Sequence, residues 1–575
     1  YRAEFAKSVN YPEDLKMGQD SIFIVNAVAQ AQSISVTDAL VYHYRANPNS
    51  AMNTFNFRKF MDALEWRIRA WSVLDNAGFR EAGEHLLFRF WSPAFFQNLT
   101  ETLSDEEKQA FDQKLGRALR SAGYPGSCPS KLPQVRQYFE TVLQALALEA
   151  TSDVKKPLRI ATFSTMDHGG AGLGSHRRVE ALRRHGVDAR IHCLIKKTNM
   201  SYVHQITLSE PLEGMDLRVA WRKAAVLTRQ EHPGLKAREL FSKIDSVVDF
   251  RKLKHVFDRA DVVHLHWVPG IVDYANMDEL ADKAVVWTLA DMNAFTGGCH
   301  YSEGCEGYKD KCLNCPLLNE ASDLPHKAWK VKRDAYEKIP NLHVVCPSEW
   351  LAECARNSSL LGGRPIHVIP NALPVDRFTL VNRFVARRKL GLPFDKKFIL
   401  FGADNLTNKR KGGDILIESI KQLISKGFSG RTEALFFGSG SLDLGIPSHS
   451  MGSVSDELKM SLIYAAADVF AFPSREDNAP LTVAESMLSG TPVVAFPVGN
   501  VNELVIHMQN GYIASYGNPV DFAKGLEWAL SDTGSSQALL RGLRAHRSAR
   551  VHNDPSTSAQ RHIALYSKML NAPKR

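Results

Sequence analysis

Short, almost wholly apolar runs alternate with longer amphipathic stretches along the chain from residue 157 onward. An apolar run of about four to eight residues predicts a strand buried on both faces, and an amphipathic stretch between two such runs predicts a helix. The first set of predicted strands comprises 158–164, 189–195, 261–267, 284–289 and 342–346, and 366–371 leads into a second set at 398–402, 434–438, 467–473 and 493–496. This pattern predicts an α/β fold of two doubly wound domains that face each other across a cleft.

The chain before this alternation is predicted to be mostly helical. Aromatic and aliphatic residues recur near helical spacing in residues 51–157, which we interpret as a helical spacer and linker without chemistry of its own. Ser104 and Glu107 have the spacing of a capping box at the start of one of its helices. The polar end of the segment closes at Pro157, which favours a domain boundary there.

The polar turn between the last two predicted strands carries several acidic side chains. A helix is predicted to start at Pro480 and to end at Gly490, with Asp477 and Asn478 as caps and Glu485 about a turn and a half inside. Backbone amides at a helix N-terminus suit a phosphate, and carboxylates accept hydrogen bonds from sugar hydroxyls. An ordinary strand–turn–helix with acidic caps has the same pattern, so the stretch alone does not decide between the two.

Glycines and cations occupy other predicted strand ends. Gly169 and Gly170 lie in the first β–α turn, where the backbone can approach a phosphate or sugar, although tight turns also need glycine. Arg410 and Lys411 follow the strand 398–402 and supply cations for a diphosphate, unless they form a solvated basic loop. Gly438 ends the next strand, near the place of a base or ribose. No acidic residue clearly ends the second strand, which counts against a dinucleotide cofactor.

A cysteine cluster interrupts the first α/β run. Cys312 and Cys315 have the short spacing of a tetrahedral metal site, and Cys299 and Cys305 could complete four thiolates. We favour structural zinc, which would hold a loop on the acceptor side of the cleft. Iron–sulfur ligation, two disulfides, or His300 in place of one cysteine remain open.

Length and charge bound the function only broadly. With 575 residues the chain is too long for one core and suggests roughly three to four domains. A net charge of +9 favours anionic surroundings such as sugar nucleotides, acidic glycans, a membrane face or nucleic acid, without choosing among them. No apolar run approaches the ~18 residues of a membrane span, and we recognise no secretion signal, so a cytoplasmic location is expected. Because the chain starts at Tyr1 in the middle of a pattern, we expect a fragment of a longer protein.

The first 50 residues resemble the tail of an inverting, family 2 type glycosyltransferase with a GT-A fold. The resemblance is carried by Asp20 before an apolar helical stretch and by the Tyr-x-Tyr-Arg sequence at 42–45. It implies that Asp20 corresponds to a general base, although a lone Asp is also a common helix cap. The donor-binding strand and Asp-x-Asp motif of that family would lie upstream, so residues 1–50 are expected to be a C-terminal remnant that cannot bind a donor alone.

Residues 158–575 resemble the family 4 type of retaining glycosyltransferases, which have a GT-B fold of two facing Rossmann-like domains. The resemblance is carried by Arg410-Lys411-Gly412, by the acid-x7-acid motif from Asp477 to Glu485, and by the segment 489–495. The segments 287–301 and 476–478 resemble the colanic-acid and lipopolysaccharide branch of that family. The resemblance implies an acceptor domain at 158–375, which contains the cysteine cluster, and a donor domain at 376–575.

The resemblance also implies site residues and a mechanism. The expected catalytic residues are Asp477, Glu485 and Lys411, and no catalytic metal is expected because fixed cations and helix dipoles carry the leaving-group charge. Front-face displacement is implied, in which the departing phosphate assists deprotonation of the acceptor. The expected donor-binding residues are Arg410, Lys411, Glu476, Asp477, Asn478, Leu481, Thr482, Glu485, Gly169, Gly170 and Gly438.

The chain departs from the family pattern at two positions. Ala290-Asp291 stands where the family usually has His-Asp, and Asn405 lies near the usual position of an arginine. These departures put ordinary positioning of the donor sugar in doubt. Arg410 is a candidate replacement for the missing cation.

The leading hypothesis is a hexosyltransferase-type enzyme that builds a bacterial surface polysaccharide at the cytoplasmic face of the membrane. Its expected partners are a nucleotide-diphosphate sugar, a glycan or lipid-linked acceptor and an anionic membrane surface touched peripherally, with no nucleic acid. One alternative is a catalytically silent GT-B subunit that binds glycan or a partner transferase. A third hypothesis is a related GT-B enzyme such as a phosphorylase or a sugar-nucleotide epimerase.

Overall fold

The structure is a computed structural model that describes residues 104–121, 157–206, 208, 216–237, 239–318, 322–428, 430–531 and 534–572. The chain divides into two compact units, one from Tyr1 to Lys156 and one from Pro157 to Arg575. The predictions for residues 1–50, including Asp20, and for most of 51–157 lie outside the described residues.

The described part of the first unit is one helix, α1 (Asp105–Ser121). It begins with the predicted capping box: the Ser104 amide donates to Glu107 Oε2 at 3.1 Å, and the Glu107 amide donates to Ser104 Oγ at 3.3 Å. Each side chain thereby satisfies a backbone donor that has no intrahelical partner.

The first domain of the second unit is built on a seven-stranded parallel sheet in the order β3-β2-β1-β4-β5-β6-β7. Its strands are β1 (Arg159–Met166), β2 (Asp188–Ile195), β3 (Val203–Gln205), β4 (Val262–Leu265), β5 (Ala284–Thr288), β6 (Leu342–Cys346) and β7 (Ile366–Val368). Its α-helices are α2 (Gly169–Arg184), α3 (Leu217–Ala225), α4 (Lys254–Arg259), α5 (Leu324–Glu337) and α6 (Glu349–Arg356). Short 3₁₀ helices lie at Phe250–Leu253, Met277–Leu280, Asn293–Phe295 and Gly307–Lys309.

The second domain is built on a six-stranded parallel sheet in the order β10-β9-β8-β11-β12-β13. Its strands are β8 (Lys397–Asn405), β9 (Thr432–Ser439), β10 (Ser448–Ser450), β11 (Val469–Phe472), β12 (Val493–Ala495) and β13 (Gly511–Ile513). Its α-helices are α7 (Arg383–Leu390), α8 (Gly413–Ser425), α9 (Glu457–Ala466), α10 (Leu481–Leu488), α11 (Val501–Leu504), α12 (Pro519–Ser531) and α13 (Ser536–His552), and a 3₁₀ turn spans Lys409–Lys411.

Burial explains why the apolar runs form strands. Every residue of β4, β11 and β12 is buried, as expected of strands covered by helices on both faces of a parallel sheet. The predicted α/β fold with two doubly wound domains is confirmed. The short strands β3, β10 and β13 were not predicted, because three residues that include polar or half-exposed positions give no apolar run.

The last helix of the fold, α14 (Pro555–Asn571), follows the second domain in the sequence but packs on the first. Ala559, Leu565 and Tyr566 belong to the same apolar cluster as residues of β1, β2 and α2. The Tyr566 hydroxyl lies 2.6 Å from Nδ1 of His264 on β4, in a fully buried contact. The core of the first domain is therefore completed by residues that the predicted bounds, 376–575, assign to the donor domain.

No helix in the part of the chain that the structure describes is long and apolar enough to cross a membrane.

Candidate functional site

Turns at the carboxyl ends of strands from both sheets meet between the two domains. They follow β5 in the first sheet and β8 and β11 in the second, and the helix α2, which follows β1, contacts the second domain through Arg177. One contact that joins them is the hydrogen bond from Asn478 Nδ2 to the carbonyl of Ala290, at 2.8 Å. Parallel α/β sheets bind ligands at this position, so the structure puts the candidate site where the sequence pattern predicts it.

Asp477 joins the two cations that follow β8. Its Oδ2 accepts hydrogen bonds from Lys411 Nζ at 2.7 Å and from Arg410 Nη1 at 3.3 Å. Burial alone would raise the pKa of Asp477, but Lys411 and Arg410 outweigh burial and hold that pKa below its ordinary value. The carboxylate therefore stays charged and fixes both cations.

The prediction that Asp477 and Asn478 cap α10 is wrong. The helix begins at Leu481 with Pro480 at the N-cap position, and no side chain caps its amides. Asp477 instead accepts from Lys411 and Arg410, and Asn478 donates to the other domain. A buried carboxylate gains more from two cations than from one backbone amide, which explains the outcome.

Arg410 is held from three sides. Its Nε donates to Glu239 at 2.9 Å, its Nη1 donates to the carbonyl of Glu476 at 2.8 Å, and its guanidinium lies 4.0 Å from the centre of the Tyr301 ring. Glu239 and Tyr301 belong to the first domain, so Arg410 lies across the domain boundary. Glu239 carried no signal in the sequence, whereas Tyr301 ends the segment 287–301 that carries part of the family resemblance.

Glu476 contacts the cysteine loop. Its carboxylate accepts hydrogen bonds from the backbone amides of Ser302 and Glu303, both at 3.0 Å. Burial raises the pKa of Glu476 above its ordinary value, although these amides partly oppose the effect. The predicted donor-side residue thus connects the donor domain to the opposite domain.

Glu485 lies buried inside α10, as predicted, and faces a cation that the sequence did not reveal. Its Oε1 accepts from Arg177 Nη2 at 3.1 Å, and its Oε2 accepts from the Tyr464 hydroxyl at 3.3 Å. Arg177 also donates to Glu457 at 2.9 Å. Burial raises the pKa of Glu485 even though Arg177 opposes that shift. Leu481 and Thr482 are half-buried in the first turn of the same helix.

The predicted glycines have different structural roles. Gly169 and Gly170 begin α2 rather than forming a loop before it, and a Cβ at either position would meet nothing within 4 Å. Gly438 has a φ of +110°, and a Cβ there would lie 1.7 Å from the carbonyl oxygen of Ala403. Close packing against β8 therefore accounts for Gly438 without a ligand.

A second cluster surrounds Asp291, beside the alanine that departs from the family pattern. Asp291 Oδ2 accepts from Trp267 Nε1 at 2.8 Å and lies 2.5 Å from His300 Nδ1. His300 Nε2 in turn lies 2.8 Å from the hydroxyl of Ser242. His300, which the sequence suggested only as a substitute metal ligand, thus fixes the carboxylate that follows Ala290.

The four predicted metal ligands Cys299, Cys305, Cys312 and Cys315 line one small cavity. Burial raises the pKa of the Cys299, Cys312 and Cys315 thiols. Within the described residues, no group of three or more His, Cys, Asp or Glu side chains is arranged so that it could hold a metal ion. The structure brings the four residues together, and zinc binding stays a prediction.

Comparison with known proteins identifies the family. Residues 396–532, which contain β8 to α12, match the family model described as "Glycosyl transferases group 1". An uncharacterized glycosyltransferase of Methanocaldococcus jannaschii is 30% identical over 299 residues, which are 48% of this chain and 68% of that protein. The chain belongs to the group 1 glycosyl transferases. The predicted enzyme class, a transferase of glycosyltransferase type, is confirmed at the level of family.

Two relatives in other organisms match shorter regions of this group 1 glycosyl transferase. D-inositol 3-phosphate glycosyltransferase of Xylanimonas cellulosilytica is 32% identical over 31% of the chain and 46% of that protein. A putative colanic acid biosynthesis glycosyl transferase of Escherichia coli is 27% identical over 41% of the chain and 58% of that protein. The chain thus spans about half the length of these relatives.

One solved structure shows the fold. Sucrose-phosphate synthase from Thermosynechococcus elongatus superposes with a TM-score of 0.51 at 16% identity, and the match covers 72% of this chain and all of that one. The similarity concerns the fold alone, and it agrees with the two Rossmann-like domains expected of a GT-B enzyme.

Proposed function

We propose that this group 1 glycosyl transferase moves a sugar from a nucleotide-diphosphate sugar to a glycan or lipid-linked acceptor, with retention of the anomeric configuration. The observation that carries the proposal is the meeting of Lys411 and Arg410 with Asp477 at the carboxyl ends of β8 and β11. The helix that follows this turn, α10, carries the buried Glu485. Such a set provides cations for a diphosphate and carboxylates for hydroxyl groups.

Each of these side chains has a separate task in the proposed reaction. Lys411 uses one of its three N–H donors on Asp477 and keeps two for phosphate oxygens. Asp477 and Glu476 bind hydroxyls of the donor sugar, and Glu485 binds the ribose or diphosphate. The bond between the anomeric carbon and the phosphate oxygen breaks as the acceptor oxygen bonds to that carbon from the same face. The departing phosphate takes the acceptor proton, so no catalytic metal is required.

We place the reaction in the synthesis of a bacterial surface polysaccharide, at the cytoplasmic face of the membrane. The similarity to a putative colanic acid biosynthesis transferase supports this class of product. The net charge of +9 suits anionic donors and an anionic membrane surface. The comparisons give no support to a catalytically silent subunit.

Donor binding and turnover with a panel of nucleotide-diphosphate sugars test the proposal. Calorimetry on the wild type should identify a sugar nucleotide that binds, and the anomeric configuration of the transferred sugar, measured by NMR, should match that of the donor. Glu485→Gln should abolish transfer, while Glu418→Gln, an exposed change in the same domain, should not.

Three results would contradict the proposal in different ways. A wild type that binds no nucleotide-diphosphate sugar favours the silent subunit. Release of nucleoside diphosphate without a glycosylated product favours the related GT-B enzymes. A product in which the anomeric configuration is inverted contradicts only the proposed retention and leaves the proposed transfer intact.

We also propose that Cys299, Cys305, Cys312 and Cys315 bind a structural zinc ion. Backbone amides already donate to two of the sulfurs, from Gly297 to Cys312 at 3.2 Å and from Gly307 to Cys305 at 3.3 Å, and such bonds stabilise thiolates. The buried Lys332 lies near the cluster, and its positive charge would offset the net negative charge of a zinc ion bound by four thiolates.

Plasma mass spectrometry of purified protein checks the zinc proposal. We expect about one zinc per chain, as structural sites of this type hold one ion. Cys312→Ser should lower the zinc content and the melting temperature, whereas Cys354→Ser, a cysteine outside the cluster, should leave the zinc content unchanged. Folded wild-type protein without metal would refute the proposal.

A further inference from the structure

Arg177 reaches from the first domain to two carboxylates of the second. It lies on α2 and is only 8% exposed. Its Nη2 atom donates to Glu457 at 2.9 Å and to Glu485 at 3.1 Å. A single nitrogen of the guanidinium therefore makes both contacts with the donor domain.

The other two nitrogens of Arg177 lack an acceptor in the part of the chain that the structure describes. Nε and Nη1 are buried, and neither has a hydrogen-bond partner among the described residues. Buried N–H groups in folded proteins are nearly always paired, so an unpaired guanidinium beside a ligand cleft indicates a missing acceptor. A guanidinium carries a fixed positive charge, and the acceptor that suits it is an anion such as a phosphate.

Arg410, one of the two cations that follow β8, makes more contacts than Arg177 does. Arg410 is held by Glu239, by the carbonyl of Glu476 and by Asp477. Asn405, at the end of β8, accepts from the amide and hydroxyl of its neighbour Thr407 at 2.9 and 2.8 Å, so it belongs to the turn and adds no charge. Lys411 also keeps two N–H donors free. Of the cations that contact Asp477 or Glu485, Arg177 is the one with buried nitrogens that have no partner among the described residues.

The helix that carries Arg177 leaves space for a ligand beside it. Gly170, Gly174 and Arg177 are spaced i, i+4 and i+7, which places them on one face of α2. A Cβ at Gly170 would meet nothing within 4 Å, and one at Gly174 would approach only Nε2 of His266 at 3.5 Å. Two positions on this face of α2, between its N-terminus and Arg177, therefore carry no side chain of their own.

We propose that Arg177 binds the diphosphate of the donor through Nε and Nη1 while Nη2 keeps Glu485 in place. The inference rests on the proposed function, since it assigns a further residue to the same donor site. It adds a cation from the first domain to a site whose predicted cations all come from the second. Donor binding then joins the two domains through one side chain.

A purely structural role for Arg177 leads to a different expectation for Glu457. If Arg177 only bridges the domains, loss of Glu457 removes one contact of the bridge and weakens whatever depends on it. If Arg177 binds phosphate, loss of the Glu457 charge frees the guanidinium and strengthens phosphate binding. Glu457 is partly exposed, with 30% of its side chain accessible, so Glu457→Gln should fold.

Calorimetry with UDP, GDP, ADP and dTDP, each beside its nucleoside, tests the inference. For the diphosphate that binds the wild type, Arg177→Gln should raise Kd roughly 10- to 100-fold, the loss expected for charge-assisted hydrogen bonds, while nucleoside affinity stays unchanged. Arg177→Lys should recover part of the loss, and Glu457→Gln should lower Kd. The control Arg184→Gln changes an exposed arginine on the same helix and should leave Kd unaltered.

The outcomes separate this inference from the proposed function. A wild type that binds none of the four diphosphates overturns both. A wild type that binds one, with Arg177→Gln of unchanged affinity, overturns the role of Arg177 alone. If Arg177→Gln lowers the melting temperature, the affinities of Arg177→Lys and Glu457→Gln test the inference instead. A higher Kd for the diphosphate in Glu457→Gln, or no recovery of affinity in Arg177→Lys, contradicts the inference.

Discussion

Asp477 fixes the two cations of the donor domain in a position where they would otherwise repel each other. Its side chain is 11% exposed and accepts hydrogen bonds from both Lys411 and Arg410. Removing one partner of a buried charged group costs more than the pair itself is worth, because the remaining charges stay desolvated.

We expect Asp477→Asn to destabilise the protein by about 1–3 kcal/mol at neutral pH, because Lys411 and Arg410 lose their shared anion. The folded pKa of Asp477 lies below its ordinary value of 3.8, so its contribution is present above pH 3.8 and is lost as the pH falls through the folded pKa. Urea unfolding from pH 3 to pH 7 should show a gap between wild type and variant that closes toward acid.

Asp414→Asn is the matched control for this prediction. Asp414 pairs with Arg475 at 2.7 Å in the same region, but 64% of its side chain is exposed. Its loss should cost less than about 1 kcal/mol, because water screens exposed ion pairs. An equal loss of unfolding free energy in both variants would show that burial does not account for the contribution of Asp477 to stability.

The acidic motif could be recognised in the sequence, but most of its partners could not. Asp477 and Glu485 share one short segment with the spacing of a known pattern. Arg177 is 308 residues from Glu485 in the sequence, and it is one of four arginines on an amphipathic helix, where arginine is usually solvated. Arg177 differs from a solvated arginine only because the second domain places Glu457 and Glu485 against it.

Among the elements, the turn between β8 and α8 places Arg410 and Lys411 by close packing of backbone. Gly412 ends the 3₁₀ turn with a φ of +74°, and a Cβ there would lie 1.9 Å from the carbonyl oxygen of Pro473. The turn thus lies directly against the one that follows β11. The positions of both cations depend on this contact.

Gly412→Ala should destabilise the protein by about 2–4 kcal/mol, the combined cost of a left-handed alanine and of overpacking. It should also weaken donor binding, because the backbone that carries Lys411 has to shift. Thermal unfolding and calorimetry check the two effects.

Gly427→Ala is the control that separates the cost of a left-handed alanine from the cost of overpacking in Gly412→Ala. Gly427 has a φ of +87°, but a Cβ there meets nothing within 4 Å. It should show the conformational cost alone, about 1–2 kcal/mol, with unchanged donor affinity. If Gly412→Ala behaves in the same way, close packing against Pro473 has no role in the site.

The strands of both sheets were predictable from apolar runs because parallel strands are buried on both faces. The edge strands β3, β10 and β13 were not, since their three residues make no run. The start of α10 was misplaced by one residue, and its caps were misassigned, because tertiary ion pairs drew Asp477 away from the helix.

At the scale of the whole molecule, two repeated α/β patterns sufficed to predict two domains and a cleft between them. The pattern did not predict that residues of one domain would contact the other domain at the site. Glu476, Arg177 and Asn478 make contacts across the boundary that depend on the relative position of two folded sheets. Local periodicity holds no information about that position.

The return of α14 to the first domain has a consequence for synthesis on the ribosome. His264 lies in the interior of the first sheet, and Tyr566, which contacts it, follows 302 residues later in the sequence. A first domain that has just emerged still lacks Ala559, Leu565 and Tyr566, so its apolar face over β1 and α2 stays open while the second domain is translated. The core of the first domain therefore cannot close until residues 555–571 have been translated.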